Sequence, residues 1–291
     1  METLGSVRIG LIGAGRLAWS LGPALVRAGC TVTAVSGRDP RASATLAETI
    51  GKGSRSYAMP RDVLDAAELV FLTVPDGMIR PVSDSLPWLP HHRAVHCSGA
   101  LPLDALSAAT SAGAEVGTFH PIQTFPARRR EPDRFTGIYC GFEGSGMLGN
   151  LLEGIALALG SRPLPLAGVN RALYHAAAVF VSNDLVALMS AASRTWALAG
   201  LPGDIARQAL SPLLTATAAN VAGLDLTAAL TGPIARGDVG TVRAHLEALS
   251  SAPALRDLYR RLGAELLLVA KHEDPVIRLQ LEGLLRDPGS D

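Results

Sequence analysis

The chain has 291 residues, which is long enough for two domains of ordinary size. Its 26 basic and 26 acidic residues give a net charge of zero, so its charge does not point to nucleic acid or to an anionic membrane surface. Its three cysteines lack the spacing of metal ligands, and their odd number argues against a disulfide framework. We expect a reduced, cytoplasmic protein that binds small molecules and no metal, without a signal peptide at its start.

Short β-branched segments alternate with helical patterns over residues 1–166, which is typical of βαβ units around a mostly parallel sheet. The predicted strands span residues 7–12, 31–36, 68–74, 93–98, 115–120 and 137–142. The predicted helices span residues 15–28, 40–50, 61–66, 77–85, 102–112 and 146–159. We therefore expect an open α/β domain in this part of the chain.

Residues 167–291 have a helical pattern throughout. Asn170 is a suitable N-cap for a long helix from Arg171 to Ala199, and Gly200 is a suitable residue to end it. Further helices are predicted at residues 202–221, 238–249 and 253–271. The predicted fold class is thus α/β, with an N-terminal, mostly parallel sheet domain followed by an all-helical C-terminal domain.

The long helix is apolar enough over residues 172–192 to suggest a membrane span. It carries His175, Asn183 and Asp184 near its middle, and such side chains are costly in lipid. We therefore predict a buried helix of a soluble protein. Because its apolar length exceeds what one small domain buries, we also expect a homodimer with the helical domains at the interface.

Gly13, Gly15 and Ala18 form the pattern G-x-G-x-x-A between the first predicted strand and the first predicted helix. In a dinucleotide-binding loop the first glycine permits a tight turn and the second admits a pyrophosphate close to the backbone, while the alanine keeps the helix near the sheet. These glycines could instead serve only a structural turn. The strand–loop–helix context favours dinucleotide binding.

The end of the second predicted strand indicates which dinucleotide binds. A site for NAD usually has an acidic residue about 20 residues after the glycine loop, where this chain has Ser36. A serine can donate a hydrogen bond to the 2′-phosphate of NADP, and Arg38 can add a charge-assisted one, with Arg41 close by. Asp39 instead fits an N-cap before Pro40. We predict NADP as the cofactor; the alternative is that Arg38 is an ordinary exposed loop residue.

Further cofactor contacts are expected beyond the carboxyl ends of the later strands, where ligands bind in open α/β sheets. Residues 74–76 would follow the pyrophosphate and the adjacent ribose, and Ser98 and Gly99 would lie near the nicotinamide. The predicted cofactor-binding residues are Gly13, Ala14, Gly15, Arg16, Leu17, Ser36, Arg38, Val74, Pro75, Asp76, Ser98 and Gly99.

Polar residues at one strand end and on the long helix are candidates for the chemistry. His120 follows a predicted strand and His175 lies in the long helix, and an imidazole at either place can donate a proton. Ser182, seven residues after His175, shares its helix face, and Asn183 lies roughly 80° away around the helix. The alternatives are that His120 only caps its strand and that His175 and Asn183 are satisfied within the core.

Two other segments supply candidates for substrate binding. Gln123 lies in the turn after His120, and Thr231 and Arg236 lie in a predicted helix-breaking turn at residues 230–238. Arg236 could hold a substrate carboxylate through two hydrogen bonds or could simply pair with Asp238. The predicted catalytic residues are therefore His120, His175 and Asn183, and the predicted substrate-binding residues are Gln123, Ser182, Thr231 and Arg236.

Seven segments together resemble a family of Rossmann-like NADP oxidoreductases that end in a helical domain of unknown function. They are RIGLIGAGRLAWSL, VSGRDPR, VPDGMI, HCSGAL, GTFHPIQTF, LYHAAAVFVSNDLVAL and LTGPIARGD. This family is similar to pyrroline-5-carboxylate reductase, ketopantoate reductase and the 6-phosphogluconate and 3-hydroxyacid dehydrogenases, and some of its members look like an alternative ketopantoate reductase. The resemblance implies a Rossmann-type first domain and a dimer.

The sequence departs from this wider group on the long helix. There the helix presents a lysine four residues before an asparagine, whereas Val179 stands four residues before Asn183 here. The only lysines, Lys52 and Lys271, lie outside that helix. We therefore expect His120 or His175 as the proton donor of an NADP-dependent oxidoreductase that acts on a small 2-oxo acid or imine. The alternative is an NADP-binding regulatory or interaction protein without turnover.

Overall fold

The computed structural model describes residues 4–51, 53–126, 128, 130–272 and 274–286, so Lys52 lies outside the described part. The chain forms two compact units, and the boundary between them falls between Ser182 and Asn183. The predicted division between residues 166 and 167 follows the last strand of the first unit, which ends at Pro165.

The first unit is built around an eight-stranded sheet with the strand order β3-β2-β1-β4-β5-β6-β7-β8. The strands are β1 (Arg8–Ile12), β2 (Thr31–Ser36), β3 (Arg55–Tyr57), β4 (Leu69–Leu72), β5 (Arg93–His96), β6 (Glu115–Pro121), β7 (Tyr139–Gly144) and β8 (Arg162–Pro165). Within the described residues, neighbouring strands run parallel except β6 and β7. The strand order reverses between β1 and β4, which is where such sheets bind ligands.

Helices cover both faces of this sheet. They are α1 (Arg16–Arg27), α2 (Pro40–Ile50), α3 (Arg61–Ala66), α4 (Asp76–Asp84), α5 (Ser107–Ser111) and α6 (Leu148–Ala158). Successive strand residues enter separate cores, because side chains alternate between the two faces of a sheet. Leu11 and Phe71 pack in one core, and Ile12 and Leu72 pack in the other. The predicted mostly parallel α/β domain is confirmed.

The long helix α7 spans Arg171–Leu198, within one residue of the prediction. The Leu173 N–H donates to Asn170 Oδ1 at 3.2 Å, and Gly200 has a φ of +82°, so both predicted ends are confirmed. By length and composition α7 could cross a membrane, and only 6% of its most apolar window is buried. The expected burial of this helix is therefore not found within one chain.

The second unit is helical in its described part, as predicted. Beyond the end of α7 it contains α8 (Gly203–Gly223), α9 (Leu226–Ala229), α10 (Gly232–Ala235), α11 (Val239–Ala248), α12 (Pro253–Val269) and α13 (Pro275–Leu285). Its core includes Ile234, Val242, Leu246 and Leu281. The segment 230–238, predicted as a turn, contains the single-turn helix α10, which begins at Gly232 and is followed by Gly237, both with a positive φ.

Candidate functional site

The glycine loop follows β1 and contacts the residue just after the end of β4. Gly13 has a φ of +118°, and a Cβ atom there would lie 2.7 Å from the carbonyl carbon of Thr73, so only glycine fits. The Gly13 N–H donates to the Ser36 carbonyl at 2.7 Å, and the Thr73 hydroxyl donates to the Gly13 carbonyl at 2.7 Å. The loop is thus held by hydrogen bonds to both neighbouring strands at the reversal of strand order.

The start of α1 is open to an anion. Gly15 occupies the N-cap position without a side-chain hydrogen bond, and the first turn contains no acidic residue. The N–H groups at such a helix end favour negative charge. Arg16 is exposed beside them, whereas Ala14 is buried and Leu17 packs partly against the core.

Ser36 differs from its predicted role. Its side chain is fully buried, and its hydroxyl has neither solvent exposure nor a hydrogen-bond partner among the described residues. The reason is that β2 is covered on both faces, and Ser36 pairs with both Ile12 and Tyr57 in the sheet. The backbone of Ser36 matters instead, because its carbonyl fixes Gly13.

Arg38 is exposed just beyond the end of β2, and within the described residues it forms no ion pair. Asp39 accepts hydrogen bonds from the Arg41 and Ala42 N–H groups at 3.0 and 3.3 Å, which confirms it as the N-cap of α2. A Cβ on Gly37 would lie 3.0 Å from the Ala14 nitrogen, so the turn that carries Arg38 abuts the glycine loop.

The ends of β4 and β5 are joined by a hydrogen bond between two predicted cofactor residues. The buried Ser98 hydroxyl donates to Asp76 Oδ2 at 2.7 Å and accepts from the Ala100 and Leu101 N–H groups at 3.2 and 3.1 Å. Pro75 and Asp76 are exposed at the start of α4. Ser98 therefore fixes the loop that carries Gly99.

Two imidazoles converge on Gly99. A Cβ built there would lie 2.7 Å from His120 Cε1, 2.8 Å from His120 Nε2 and 2.8 Å from His175 Nδ1. The two rings stand edge to face with centroids 6.0 Å apart. The structure thus brings together both histidines that the sequence marked as proton donors, although 54 residues separate them at this contact between β6 and α7.

Tyr174 is a third member of this cluster that the sequence interpretation missed. Its hydroxyl lies 2.8 Å from His120 Nδ1, with the rings at 5.5 Å and 78°. A hydroxyl that donates to Nδ1 leaves the imidazole proton on Nε2, which is the atom facing Gly99. Burial raises the pKa of Tyr174 to about 12, so the hydroxyl keeps its proton at neutral pH.

His120 and His96 are neutral at pH 7. Burial, aided by the charges of His175 and Arg171, lowers the pKa of His120 to about 4. Burial, aided by Arg171, also lowers the pKa of His96 to about 4. A neutral imidazole can donate a hydrogen bond from the nitrogen that carries its proton, and after binding a second proton it can act as the general acid of a reduction.

Arg171 is the second residue that the sequence interpretation missed. It is only 7% exposed, and none of its three guanidinium nitrogens has a hydrogen-bond partner among the described residues. Residues 171, 174 and 175 are spaced i, i+3 and i+4, so they share one helix face. This spacing around His175 is the signal that could have identified both Arg171 and Tyr174.

Three of the remaining predicted residues lie in the turn after β6 and on α7. Gln123 is exposed, and its side-chain oxygen accepts from the Thr124 N–H at 2.8 Å. The Ser182 hydroxyl donates to the Ala178 carbonyl at 2.7 Å within α7. Asn183 is exposed on α7 at the start of the second unit.

Thr231 and Arg236 are exposed at the two ends of α10 in the second unit. Asp238, the alternative partner of Arg236, caps α11 by accepting from the Thr241 N–H at 2.9 Å. These Thr241 hydrogen bonds are the main reason that the pKa of Asp238 is lowered, and the charge of Arg236 contributes less. Arg236 and Asp238 form no ion pair in the described residues.

Comparisons with known proteins agree with this architecture. A family model for a Rossmann-like domain matches residues 4–121, and a model described as a domain of unknown function, DUF2520, matches residues 138–266. The chain is thus similar to Rossmann-like domains in its first part and to DUF2520 domains in its second. The predicted resemblance is thereby confirmed, whereas a comparison with curated proteins gives no match.

Several solved structures share the fold of this chain. A putative NADP oxidoreductase from Bacteroides fragilis is 27% identical with a TM-score of 0.71, and the match covers 89% of this chain and 97% of that one. A protein from Thermotoga maritima is 25% identical with a TM-score of 0.75, covering 91% and 100%. The 1-pyrroline-5-carboxylate reductase of Streptococcus pyogenes, 16% identical with a TM-score of 0.60 over 88% and 96%, shows the same fold.

Proposed function

We propose that this protein is an NADP-dependent oxidoreductase that transfers hydride between the nicotinamide and a small 2-oxo acid or imine. The observation that carries the proposal is the exposed Arg38, without an ion-pair partner in the described residues, on a turn that abuts the glycine loop. A 2′-phosphate at that turn would meet the Arg38 cation, while the Asp39 carboxylate directs its hydrogen bonds to the start of α2.

The residues present fit such a cofactor. The cradle at Gly13 admits no side chain, and the uncapped start of α1 offers N–H groups to a pyrophosphate. Arg38, with the exposed Arg41 three residues further on, would hold the 2′-phosphate. Arg16 would contact the cofactor at the start of α1, and residues 74–76 and 98–99 would line the path to the nicotinamide. When bound, NADPH supplies the hydride.

The proton is supplied by the chain. His120 presents Nε2 toward Gly99, and His175 presents Nδ1 toward the same point, so either imidazole could protonate a carbonyl oxygen or an imine nitrogen there. We assign the orientation of the substrate to Gln123 and Ser182, which belong to the same unit as the two histidines. A branched 2-oxo acid of the ketopantoate type is a suitable first substrate to test.

We further propose a cytoplasmic homodimer in which residues 1–166 bind the cofactor and residues 167–291 bind substrate and the second copy. Three apolar side chains of α7 are each more than 70% exposed: Phe180, Val181 and Val186. A helix with this many exposed apolar side chains is expected to pack against another surface. An apolar cavity of about 620 Å³ is lined by the end of α7 together with α11 and α12. Light scattering at micromolar concentration should give twice the mass of one chain, and a monomer would contradict this assignment.

The cofactor assignment is tested by Arg38→Ala. Loss of one charge-assisted contact at an exposed site should weaken NADPH binding roughly tenfold and leave NADH binding within twofold. Arg243→Ala, which removes an exposed arginine from α11, is the matched control and should change neither affinity. Equal weakening of NADPH and NADH by Arg38→Ala would overturn the assignment. Tight NADPH binding without oxidation by any 2-oxo acid or imine would favour a regulatory protein.

A further inference from the structure

The guanidinium of Arg171 is a buried cation without a partner in the described residues. All three of its nitrogens are inaccessible to solvent and lack a hydrogen bond, although the residue lies in the first turn of α7. Taking an arginine out of water costs several kcal/mol, and this cost is normally offset by hydrogen bonds to an acid or to carbonyl groups. Arg171 has neither, so its burial is unexplained by the fold.

The surroundings of Arg171 offer little negative charge. Glu143 on β7 is an acidic residue whose charge acts on it, and no hydrogen bond joins the two side chains. The charge of Arg171 also acts on His96, His120 and Tyr174. These three are neutral at pH 7, so Glu143 is the negative charge acting on Arg171, and it forms no hydrogen bond with the guanidinium.

Arg171 faces the same part of the sheet as the catalytic candidates. Tyr174, on the same helix face, bonds His120 on β6, and a Cβ on Gly141 of β7 would lie 2.6 Å from its hydroxyl. The β6–β7 edge is three to four strands from β1, or roughly 14–19 Å at the usual spacing. An anion that pairs with Arg171 is therefore not the pyrophosphate at the glycine loop.

We propose that Arg171 binds the carboxylate of the substrate, beside the imidazoles of His120 and His175. A carboxylate would supply the missing acceptors through two parallel hydrogen bonds. This inference rests on the proposed function for its substrate, and it narrows the substrate class to acids: a 2-oxo acid or an imino acid binds, and the neutral ester does not. It also assigns to Arg171 the role that the sequence pattern gave to Arg236.

The test uses oxamate, an unreactive analogue of a 2-oxo acid, and its neutral ester ethyl oxamate. Binding is measured by calorimetry with the full-length protein, both alone and with saturating NADPH. The wild-type protein should bind oxamate at least tenfold more tightly than ethyl oxamate. Arg171→Met should bind oxamate at least tenfold more weakly than wild type, whereas the control Arg243→Met should bind it as wild type does.

Three results would overturn the proposal: no oxamate binding under either condition, equal binding of oxamate and its ester, or undiminished binding by Arg171→Met. NADPH affinity is measured separately on the same proteins. If the protein does not bind NADPH but binds oxamate in a way that depends on Arg171, the NADP assignment is rejected and this inference stands. Failure of the oxamate test with normal NADPH binding would do the reverse.

The melting temperature of the Arg171 variants is a second measurement, because a purely structural role for Arg171 predicts a change in the opposite direction. A buried charge without hydrogen-bond partners is destabilising, so replacing it by an apolar side chain of similar length should leave the melting temperature unchanged or raise it. If Arg171 were a structural residue, Arg171→Met would lower the melting temperature or prevent folding, and that outcome would also count against the proposal. Arg171→Lys, which keeps the charge and loses the paired hydrogen bonds, should fold and bind oxamate more weakly than wild type.

Discussion

A single methyl group added at Gly99 should disable the candidate site while leaving the fold intact. In Gly99→Ala the new Cβ would lie 2.7–2.8 Å from atoms of both His120 and His175, whereas ordinary van der Waals contact begins near 3.4 Å. Each ring must therefore withdraw by roughly 0.6–0.7 Å. His120 is bonded to Tyr174 at 2.8 Å, so its withdrawal also strains that hydrogen bond.

The expected magnitudes follow from overpacking and from misplacement of the reacting groups. Insertion of a methyl group into a packed site costs about 1–3 kcal/mol of unfolding free energy. Displacement of a catalytic group by somewhat less than 1 Å can lower turnover roughly 100-fold. We therefore expect Gly99→Ala to remain folded at 25 °C with a loss of turnover far larger than its loss of stability.

The assay is single-turnover oxidation of NADPH with a panel of 2-oxo acids and imines, together with imidazole NMR resonances and urea unfolding. Gly283→Ala is the matched control, because no atom lies within 4 Å of its added Cβ and it sits in α13. That change should stabilise the protein by about 0.5–1 kcal/mol without altering turnover. If Gly99→Ala leaves turnover within threefold and both histidine resonances unmoved, the two rings do not converge as described.

Three further predictions concern the same cluster. Tyr174→Phe removes the hydrogen bond to His120 and should lower turnover at least tenfold with little change in NADPH affinity; an unchanged rate would exclude Tyr174 as a positioning residue. His175→Asn should lower turnover severely and keep NADPH affinity within about threefold, and unaltered turnover would remove His175 from the mechanism. Folding lowers the pKa values of His96 and His120 from 6.5 to about 4. Between these pH values the unfolded chain therefore binds more protons than the folded protein, so this contribution to the free energy of unfolding is complete above pH 6.5 and is lost as the pH falls toward 4. Urea midpoints at pH 7, 5.5 and 4.5 should show this loss, and a His120→Gln variant with the wild-type slope would contradict it.

The regular elements of the sheet could be predicted because their patterns are strong. Six strands and the helices between them lie close to their expected positions, and the unit is α/β as expected. The two strands that were missed, β3 and β8, are at the two ends of the sheet order. β3 has only three residues and β8 contains two prolines, and an edge strand needs neither length nor a full set of N–H donors.

The spacing of residues from the glycine loop predicts the position of Ser36 and leaves the burial of its side chain undetermined. The spacing from the glycine loop places Ser36 correctly at the end of β2, next to the loop. It does not reveal that the strand is covered on both faces up to its last residue, which buries the hydroxyl. Arg38, two residues further on, is free of that constraint because the chain has already left the sheet.

The histidine cluster depends on which strand α7 meets, and no local pattern contains that information. Two glycines carry part of that information. The antiparallel register of β6 and β7 places Gly141 opposite His120, and a Cβ at Gly141 would lie 2.6 Å from the Tyr174 hydroxyl. Gly99 leaves the equivalent space on the other edge of the His120 ring. Glycine inside a strand often marks a close approach, so Gly141 within the strand predicted at residues 137–142 was the sequence signal that a polar side chain would be seated against it.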